Sequence, residues 1–278
     1  MKKTVFITGA SSGFGNLTAK LFQARGWNVF ATMRSPQKEA ELTLLPNITV
    51  AKLDVTDREN IRKAVAECIT TYGSIDVLVN NAGYGAAGFF EEASQEEINR
   101  QLDVNLFGLM DCTQEVIPVM RKQGGGVIIN VTSVAGSLGM PFLSLYNASK
   151  FAVEGFTQAL QFELELFGIK AKTVAPGAFK TGFGSAMAMN SGNKKPELDS
   201  YRKQYTDFLN AAIESPPKPF GYGDPKDVAE LIYKCATEDT PVVNYVGRDA
   251  RLMAKLTRLL GRGRMFKTLK NAAMPKFN

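Results

Sequence analysis

Tyr146 and Lys150 stand four residues apart in Ser144-Leu145-Tyr146-Asn147-Ala148-Ser149-Lys150, and Ser133 lies upstream, just behind the apolar run Val127-Ile128-Ile129-Asn130-Val131. On a helix, positions i and i+4 share a face, so a phenol and an ammonium at this spacing can address one substrate atom together. A free phenol, with a pKa near ~10, is a poor acid or base at neutral pH. A cation a few ångströms away favours the phenolate, so the spacing predicts a Tyr146 pKa drawn down towards the working range. The chemistry this suits is proton transfer.

The start of the chain supplies a second element. Lys2 to Thr8 is a short β-branched and aromatic run, followed by Gly9-Ala10-Ser11-Ser12-Gly13-Phe14-Gly15 and then by Leu17, Ala19, Leu21 and Phe22 at helical spacing. Strand, glycine turn and helix make a phosphate cradle: glycines admit the backbone to a pyrophosphate, and free N–H groups at the helix start point at it. The spacing is G-x-x-x-G-x-G rather than the usual G-x-G-x-x-G.

Together and in this order, the two patterns resemble the short-chain dehydrogenase/reductase family. Thr8-Gly9-x-x-x-Gly13-x-Gly15 is similar to its cofactor turn, Asn80-Asn81-Ala82-Gly83 to its central-strand motif, and Asn105 in Val104-Asn105-Leu106-Phe107-Gly108 to its catalytic-site asparagine. Ser133, Tyr146 and Lys150 complete the family's tetrad, and Pro176-Gly177 with Thr181 resembles its nicotinamide-side loop. The likeness spans roughly residues 2–247. It implies a catalytic set of Asn105, Ser133, Tyr146 and Lys150. Tyr146 would be the acid/base, Ser133 would hold the carbonyl oxygen, Lys150 would hold the nicotinamide ribose, and Asn105 would fix a water leading the proton onward. It also implies a cofactor site built from Gly9, Ser11, Ser12, Gly13, Phe14 and Gly15. Asp54 and Val55 would border the adenine, Asn81, Ala82 and Gly83 the ribose side, with Tyr146, Lys150, Pro176, Gly177 and Thr181 nearby. The segments Phe-Ala-Thr-Met-Arg and Tyr-Asn-Ala-Ser-Lys-Phe-Ala-Val-Glu-Gly are similar to the branch containing hydroxysteroid and retinol dehydrogenases.

The choice of dinucleotide falls to the end of the second strand, Val29-Phe30-Ala31-Thr32-Met33-Arg34-Ser35. No carboxylate is there to accept from a ribose hydroxyl and repel a 2′-phosphate, whereas Arg34 offers a planar cationic fork. NADP(H) is therefore expected, with NAD(H) the alternative. Ser12 stands where the family often has a basic residue, which moderates the preference.

These residues need a scaffold, and the periodicity describes one. Strands are predicted at 3–8, 28–33, 48–53, 75–80, 126–132, 170–175 and 242–246, and helices at 14–26, 57–72, 95–122, 146–167 and 225–237. Asp57, Ser94 with Glu97, and Asp224-Pro225 are the expected helix starts. The pattern is α/β, a doubly wound Rossmann fold with a central, mainly parallel sheet of about seven strands flanked by helices. At 278 residues and 45% hydrophobic residues, one domain over 1–247 suffices, and no apolar stretch approaches the ~18 residues of a membrane span. The expected location is cytoplasmic. With no histidine, a Ser-His-Asp hydrolase and a histidine-ligated zinc site are excluded. Cys68, Cys112 and Cys235 lack metal spacing, and no metal is expected.

Residues 182–222, which contain Phe183, Met187, Met189, Tyr201, Tyr205 and Phe208 and the run Ser215-Pro216-Pro217-Lys218-Pro219, read as a substrate lid. With Tyr84, Leu138, Met140 and Phe142, Phe183 and Met187 predict an apolar pocket; Lys180 and Lys194 are the cations nearby in sequence. The predicted reaction is reduction of a hydrophobic ketone or aldehyde to an alcohol, reversible as alcohol oxidation. A cofactor-sensing binding protein is the alternative class, although a sensor has no need of Tyr146 and Lys150 together. An epimerase or dehydratase shares the Tyr/Lys pair, but the Asn-Asn-Ala-Gly run and the glycine spacing speak against it. A homo-oligomer, dimer or tetramer, is expected. From Arg248 onward the chain has nine basic residues and one acid, so this 248–278 extension carries +8 and residues 1–247 carry −2. Leu252, Met253, Leu256, Leu259 and Leu260 form one helix face opposite Arg251, Lys255, Arg258 and Arg262. Docking on its own subunit or a partner subunit is the expected use of that face, ahead of anionic lipid; nucleic acid is not expected, since no reader motif accompanies the charge.

Overall fold

The structure, a computed structural model, describes residues 2–184, 187–214 and 221–273. The predicted run Ser215–Pro219 lies outside the described residues. Seven strands form the main sheet: β1 (Thr4–Ile7), β2 (Asn28–Met33), β3 (Ile48–Lys52), β4 (Val77–Asn80), β6 (Gly126–Val131), β7 (Ile169–Pro176) and β9 (Val243–Val246). A two-stranded sheet pairs β5 (Ala86–Ala87) with β8 (Ala188–Met189). The main sheet runs β3-β2-β1-β4-β6-β7-β9, and every pairing is parallel. Chain order reverses between β1 and β4, which opens a crevice beyond their carboxyl ends.

A parallel sheet needs crossover helices, and these cover both faces. Alternation along β1 sorts the core. Val5 and Ile7 join Phe22, Val29 and Ile129 against α1 (Gly13–Ala24) and α7 (Pro225–Thr237). Phe6 turns the other way and stacks on Phe30 at 5.3 Å, in the layer with Leu78, Ile128 and Met120 beneath α2 (Arg58–Tyr72) and α4 (Gly108–Gln123). Fully burying one such side chain contributes about 1.5–3 kcal/mol, so the layers fix the sheet register.

The expected helix starts are present. Asp57 accepts from the N–H groups of Glu59 and Asn60, Ser94 and Glu97 form a capping box at α3 (Gln95–Leu102), and Asp224 accepts from Lys226. The helix expected over 95–122 is not uniform: a π-helical turn, Asp103–Phe107, separates α3 from α4. Such turns insert a residue into the helical ladder and re-aim a side chain; here the turn carries Asn105. Beyond it Gly108 is obligatory, because a Cβ there would lie 2.6 Å from the Val55 carbonyl oxygen.

Lid residues 187–198 are stitched to the body. Ala188 and Asn190 donate to the carbonyls of Gly85 and Ala87, and Asn193 to Glu92. Arg202, on α6 (Asp199–Glu214), pairs with the fully buried Glu92 carboxylate. The C-terminal extension forms α8 (Arg248–Leu260) and α9 (Arg262–Ala273); the two helices pack on each other, and α8 packs on β9. No described helix is long and apolar enough to cross a membrane.

Candidate active site

Thr8, at the end of β1, ties the crevice together. Its hydroxyl accepts from the N–H groups of Asn81 and Ala82, each at 3.0 Å, while the Asn81 amide donates to the carbonyls of Thr8 (3.0 Å) and Gly9 (2.9 Å). That crossing explains two glycines. A Cβ on Gly9 (φ +69°) would lie 2.8 Å from Ala82 Cα, and one on Gly15 would strike the Gly9 carbonyl and the Asn81 amide. Ser12 is the N-cap of α1 but makes no side-chain cap bond, and the first turn holds no acidic residue. The positive helix end therefore faces a cleft of about 650 Å³ lined by Ser11, Ser12, Gly13, Lys180 and Thr181. Room, free donors and a helix N-terminus together fit a dinucleotide pyrophosphate.

Arg34 is exposed just beyond β2, while Ser35 and Lys38 line the cleft itself. Two acids also line it, but both are committed: Glu39 accepts from the N–H groups of Glu41, Leu42 and Thr43, and Glu41 pairs with Lys20. Lys38 and Lys180 have no ion-pair partner among the described residues. Burial acts to raise the Asp54 pKa, but hydrogen bonds from Thr56 and the charge of Arg34 outweigh it and hold the carboxyl below its ordinary range. Val55 is buried under Gly108.

The four catalytic candidates converge where β4, β6 and α5 (Ser144–Leu164) meet. Tyr146 and Lys150 are each 7% exposed, and the Lys150 ammonium sits 5.8 Å from the Tyr146 ring centroid while donating to the Val131 carbonyl at 2.9 Å. Ser133 Oγ accepts from Ala135 N–H at 3.1 Å and reaches the Tyr146 phenol. A Cβ on Gly83 would lie 3.1 Å from Asn105 Oδ1 and 3.9 Å from Lys150 Nζ, so these residues are contiguous. Asn105 Nδ2 donates to the Tyr84 carbonyl (2.8 Å) and to Ser149 Oγ (3.2 Å), and its Oδ1 accepts from Tyr84 N–H (3.0 Å). Asn105 is thus a clamp on the chain after Gly83.

The expected depression of the Tyr146 pKa is not what the structure gives. Burial pushes the phenol up to about 12, with only the Ser133 hydrogen bond acting the other way. The same burial pushes Lys150 down to about 8. Desolvation penalises both charged forms, and here it outweighs their mutual attraction.

On the substrate side, Phe183 lies against Tyr146 with ring centroids 5.7 Å apart, and Phe183 and Met187 crowd Gly85, next to Tyr84. Phe142 adopts φ +59° and sits between Phe89 (5.2 Å) and Tyr205 (4.0 Å). Leu138 is buried and Met140 half-buried in the loop that Asn147 holds, its amide bonding Ala135, Leu138 and Met140. Tyr205 is 1% exposed and its hydroxyl has no hydrogen-bond partner among the described residues.

Several contributors escaped sequence reasoning. Asn80 donates to Asn130, and Asn130 to Thr157, a buried polar ladder across β4, β6 and α5. Asp249, at the start of α8, accepts from Ala178 N–H at 2.7 Å and fills the space beside Gly177, so the extension braces the Pro176–Ala178 turn. No local sequence pattern marks either set.

Residues 3–191 match the family described as short chain dehydrogenase. Oxidoreductase YusZ of Bacillus subtilis is 39% identical over 244 residues, covering 85% of each chain. The 3-ketodihydrosphingosine reductase of Bacteroides thetaiotaomicron is 36% identical over 238 residues, covering 85% of this chain and 84% of that one. Among solved structures, ElxO with NADP bound superposes with a TM-score of 0.73 at 32% identity, over 88% of this chain and 97% of the other.

Proposed function

The chain belongs to the short-chain dehydrogenase family and is an oxidoreductase of that family, and on that premise we propose that it reduces an apolar ketone or aldehyde to the alcohol with NADPH, and catalyses the reverse oxidation with NADP+. The observation that carries this reading is the Tyr146 phenol, held protonated by burial, with the Ser133 hydroxyl in reach and Lys150 beneath it. When bound, the nicotinamide supplies the hydride to the carbonyl carbon or takes it back. Ser133 and Tyr146 donate to the carbonyl oxygen, and Tyr146 gives up its proton as the carbon–oxygen double bond becomes an alkoxide. Lys150, close to neutral pH in its titration, then offers a proton to the phenolate. Asn105 keeps Gly83 and Tyr84 in register with it.

The cleft beside α1 would hold the dinucleotide, with Gly9, Ser11, Ser12, Gly13, Phe14 and Gly15 around the pyrophosphate and Arg34 with Lys38 towards a 2′-phosphate. ElxO, with NADP bound, supports that preference. The aromatic and thioether side chains around Tyr146 suit an apolar substrate, and the keto lipid in the name of the Bacteroides relative is of that kind. Three free, buried cysteines fit the reducing environment of a cytoplasmic enzyme. The outer face of α5 and the turn after it exposes Gly155, Ala159, Phe162 (78%) and Leu166 (83%) at three- and four-residue spacing, a self-complementary surface for a homo-oligomer. A panel of ketones and alcohols assayed at the reduced-nicotinamide absorbance with both cofactors tests the reaction. Turnover confined to charged, hydrophilic carbonyl compounds, or no turnover of any carbonyl by protein that binds the dinucleotide, would overturn it.

A further inference from the structure

The C-terminal helices present two different surfaces. One is docked: Ala250 and Met265 are buried, and Asp249 is bonded to Ala178. The other is not, and here the expected docking of the leucine face is met only in part, because Leu252 is 38% exposed, Leu259 69% and Leu260 41%. The reason is rotational: the small residues Ala250 and Ala254 let α8 approach the body, which turns Leu252 and Leu259 outwards. At about 100° per residue, Leu252 and Leu259 fall on one line of α8 and Lys255 and Arg258 on the line beside it, while Arg262 opens α9 just beyond Gly261.

That basic line borders a cleft of about 500 Å³ between α8 and the body, with Ser137, Gln158 and Glu154 on its other wall. Glu154 is buried in that wall and makes no ion pair with these cations among the described residues; burial raises its pKa against the hydrogen bonds of Thr173 and Thr132. The eight basic residues between Arg248 and Lys270 have no carboxylate within ion-pair distance among the described residues. Arg251 donates to the Tyr245 carbonyl and Arg262 lies over the Phe151 ring, so neither is neutralised. Unneutralised cations beside outward leucines on a helix lying flat along the body match a surface that is anionic outside and apolar just below.

We propose that the α8–α9 pair docks the folded enzyme on an anionic lipid bilayer, with headgroup phosphates in the cleft of Lys255, Arg258 and Arg262, and with Leu252 and Leu259 entering the headgroup–acyl boundary. Attachment is peripheral, and it leaves the contacts of Asp249, Ala250 and Met265 with the body in place. It does not depend on which carbonyl compound is reduced.

The test is co-sedimentation of the full chain with vesicles of phosphatidylcholine alone or with one third phosphatidylglycerol. It is run at about 0.1 M and about 0.5 M salt, across which the screening length falls from ~10 Å to ~4 Å. The protein should sediment with the anionic vesicles at low salt and be released at high salt. The double variant Lys255→Glu, Arg258→Glu should partition about tenfold more weakly or worse, and Leu252→Ser, Leu259→Ser should bind more weakly while keeping the salt dependence. All four positions are outside the core, so thermal unfolding should match wild type; Lys255→Gln, Arg258→Gln serves if the reversal does not fold. Absence of binding to the anionic vesicles, or charge variants that bind like wild type, overturns the proposal. So does full release by millimolar glycerol phosphate, which would make the cleft a site for a soluble anion.

Discussion

Lys150 carries a stability signature that its position makes measurable. Its ammonium is 7% exposed, has the Val131 carbonyl as its hydrogen-bond acceptor, and titrates in the folded chain at about 8 rather than 10.5 because burial penalises the charge. The folded state therefore releases this proton before the unfolded state does. Between those two values the unfolded chain binds more protons, and stability rises with pH, the reverse of a lysine held by a carboxylate. From about pH 7.5 to about pH 9.5 the gain is about 2 kcal/mol, or ~3 °C in melting temperature for a chain of this length. Buried thiols and phenols oppose it at the upper end, since burial raises Cys68, Cys112 and Tyr146 and their stability contribution is lost as pH climbs past their unfolded values. The comparison with Lys150→Met largely removes those contributions. Denaturant unfolding of both proteins at the two pH values should give a difference that changes by about 2 kcal/mol in favour of wild type on going to the higher pH. Parallel behaviour would mean that Lys150 titrates normally, and the buried ammonium beneath Tyr146 would have to be abandoned.

Tyr146→Phe keeps the ring and removes the transferable proton, so turnover should fall by ~10²–10⁴ with cofactor affinity nearly unchanged; a variant retaining more than about a tenth of the rate, with chemistry limiting, would show that another group is the acid. Arg34→Asp should weaken NADPH binding and improve NADH relative to it, by titration of each dinucleotide, and an unchanged ratio of dissociation constants would leave Lys38 as the phosphate contact. Tyr205→Phe deletes a buried hydroxyl without a partner among the described residues, and should leave the protein as stable or about 1–2 kcal/mol more stable in denaturant unfolding. A loss of more than that would reveal a hydrogen bond. Phe162→Glu places a charge in the exposed α5 stripe and should lower the molar mass in light scattering to that of a monomer; an unchanged mass would move the subunit contact elsewhere.

What could be read from the chain depends on how far apart the cooperating residues lie. The glycine turn, the Tyr146/Lys150 pair and the helix caps at Asp57, Ser94 and Asp224 each act within a few residues, where spacing alone fixes geometry, and all appear as expected. The Glu92–Arg202 pair, the Asn80–Asn130–Thr157 ladder and the Asp249–Ala178 bond join residues that only the finished sheet brings together. Nothing in their local sequence marks them.

The titration of Tyr146 is the sharper case, because four-residue spacing names its partner but not the sign of the shift. Four-residue spacing guarantees that Lys150 is near the phenol, but it says nothing of how much water surrounds them. Water is excluded by residues from elsewhere in the chain: Phe183 lies against the ring, and Asn147 anchors the loop from Ala135 to Met140. A charge-stabilising pair in solvent becomes, under that cover, a pair in which each group resists ionising. A protonated phenol beside a lysine that is easily deprotonated is ready to give a proton to a carbonyl oxygen, and must first lose it before it can take one from an alcohol. Comparing the pH profiles of the two directions checks it: oxidation should climb towards alkaline pH while reduction falls, and two profiles that rise together would refute the assignment.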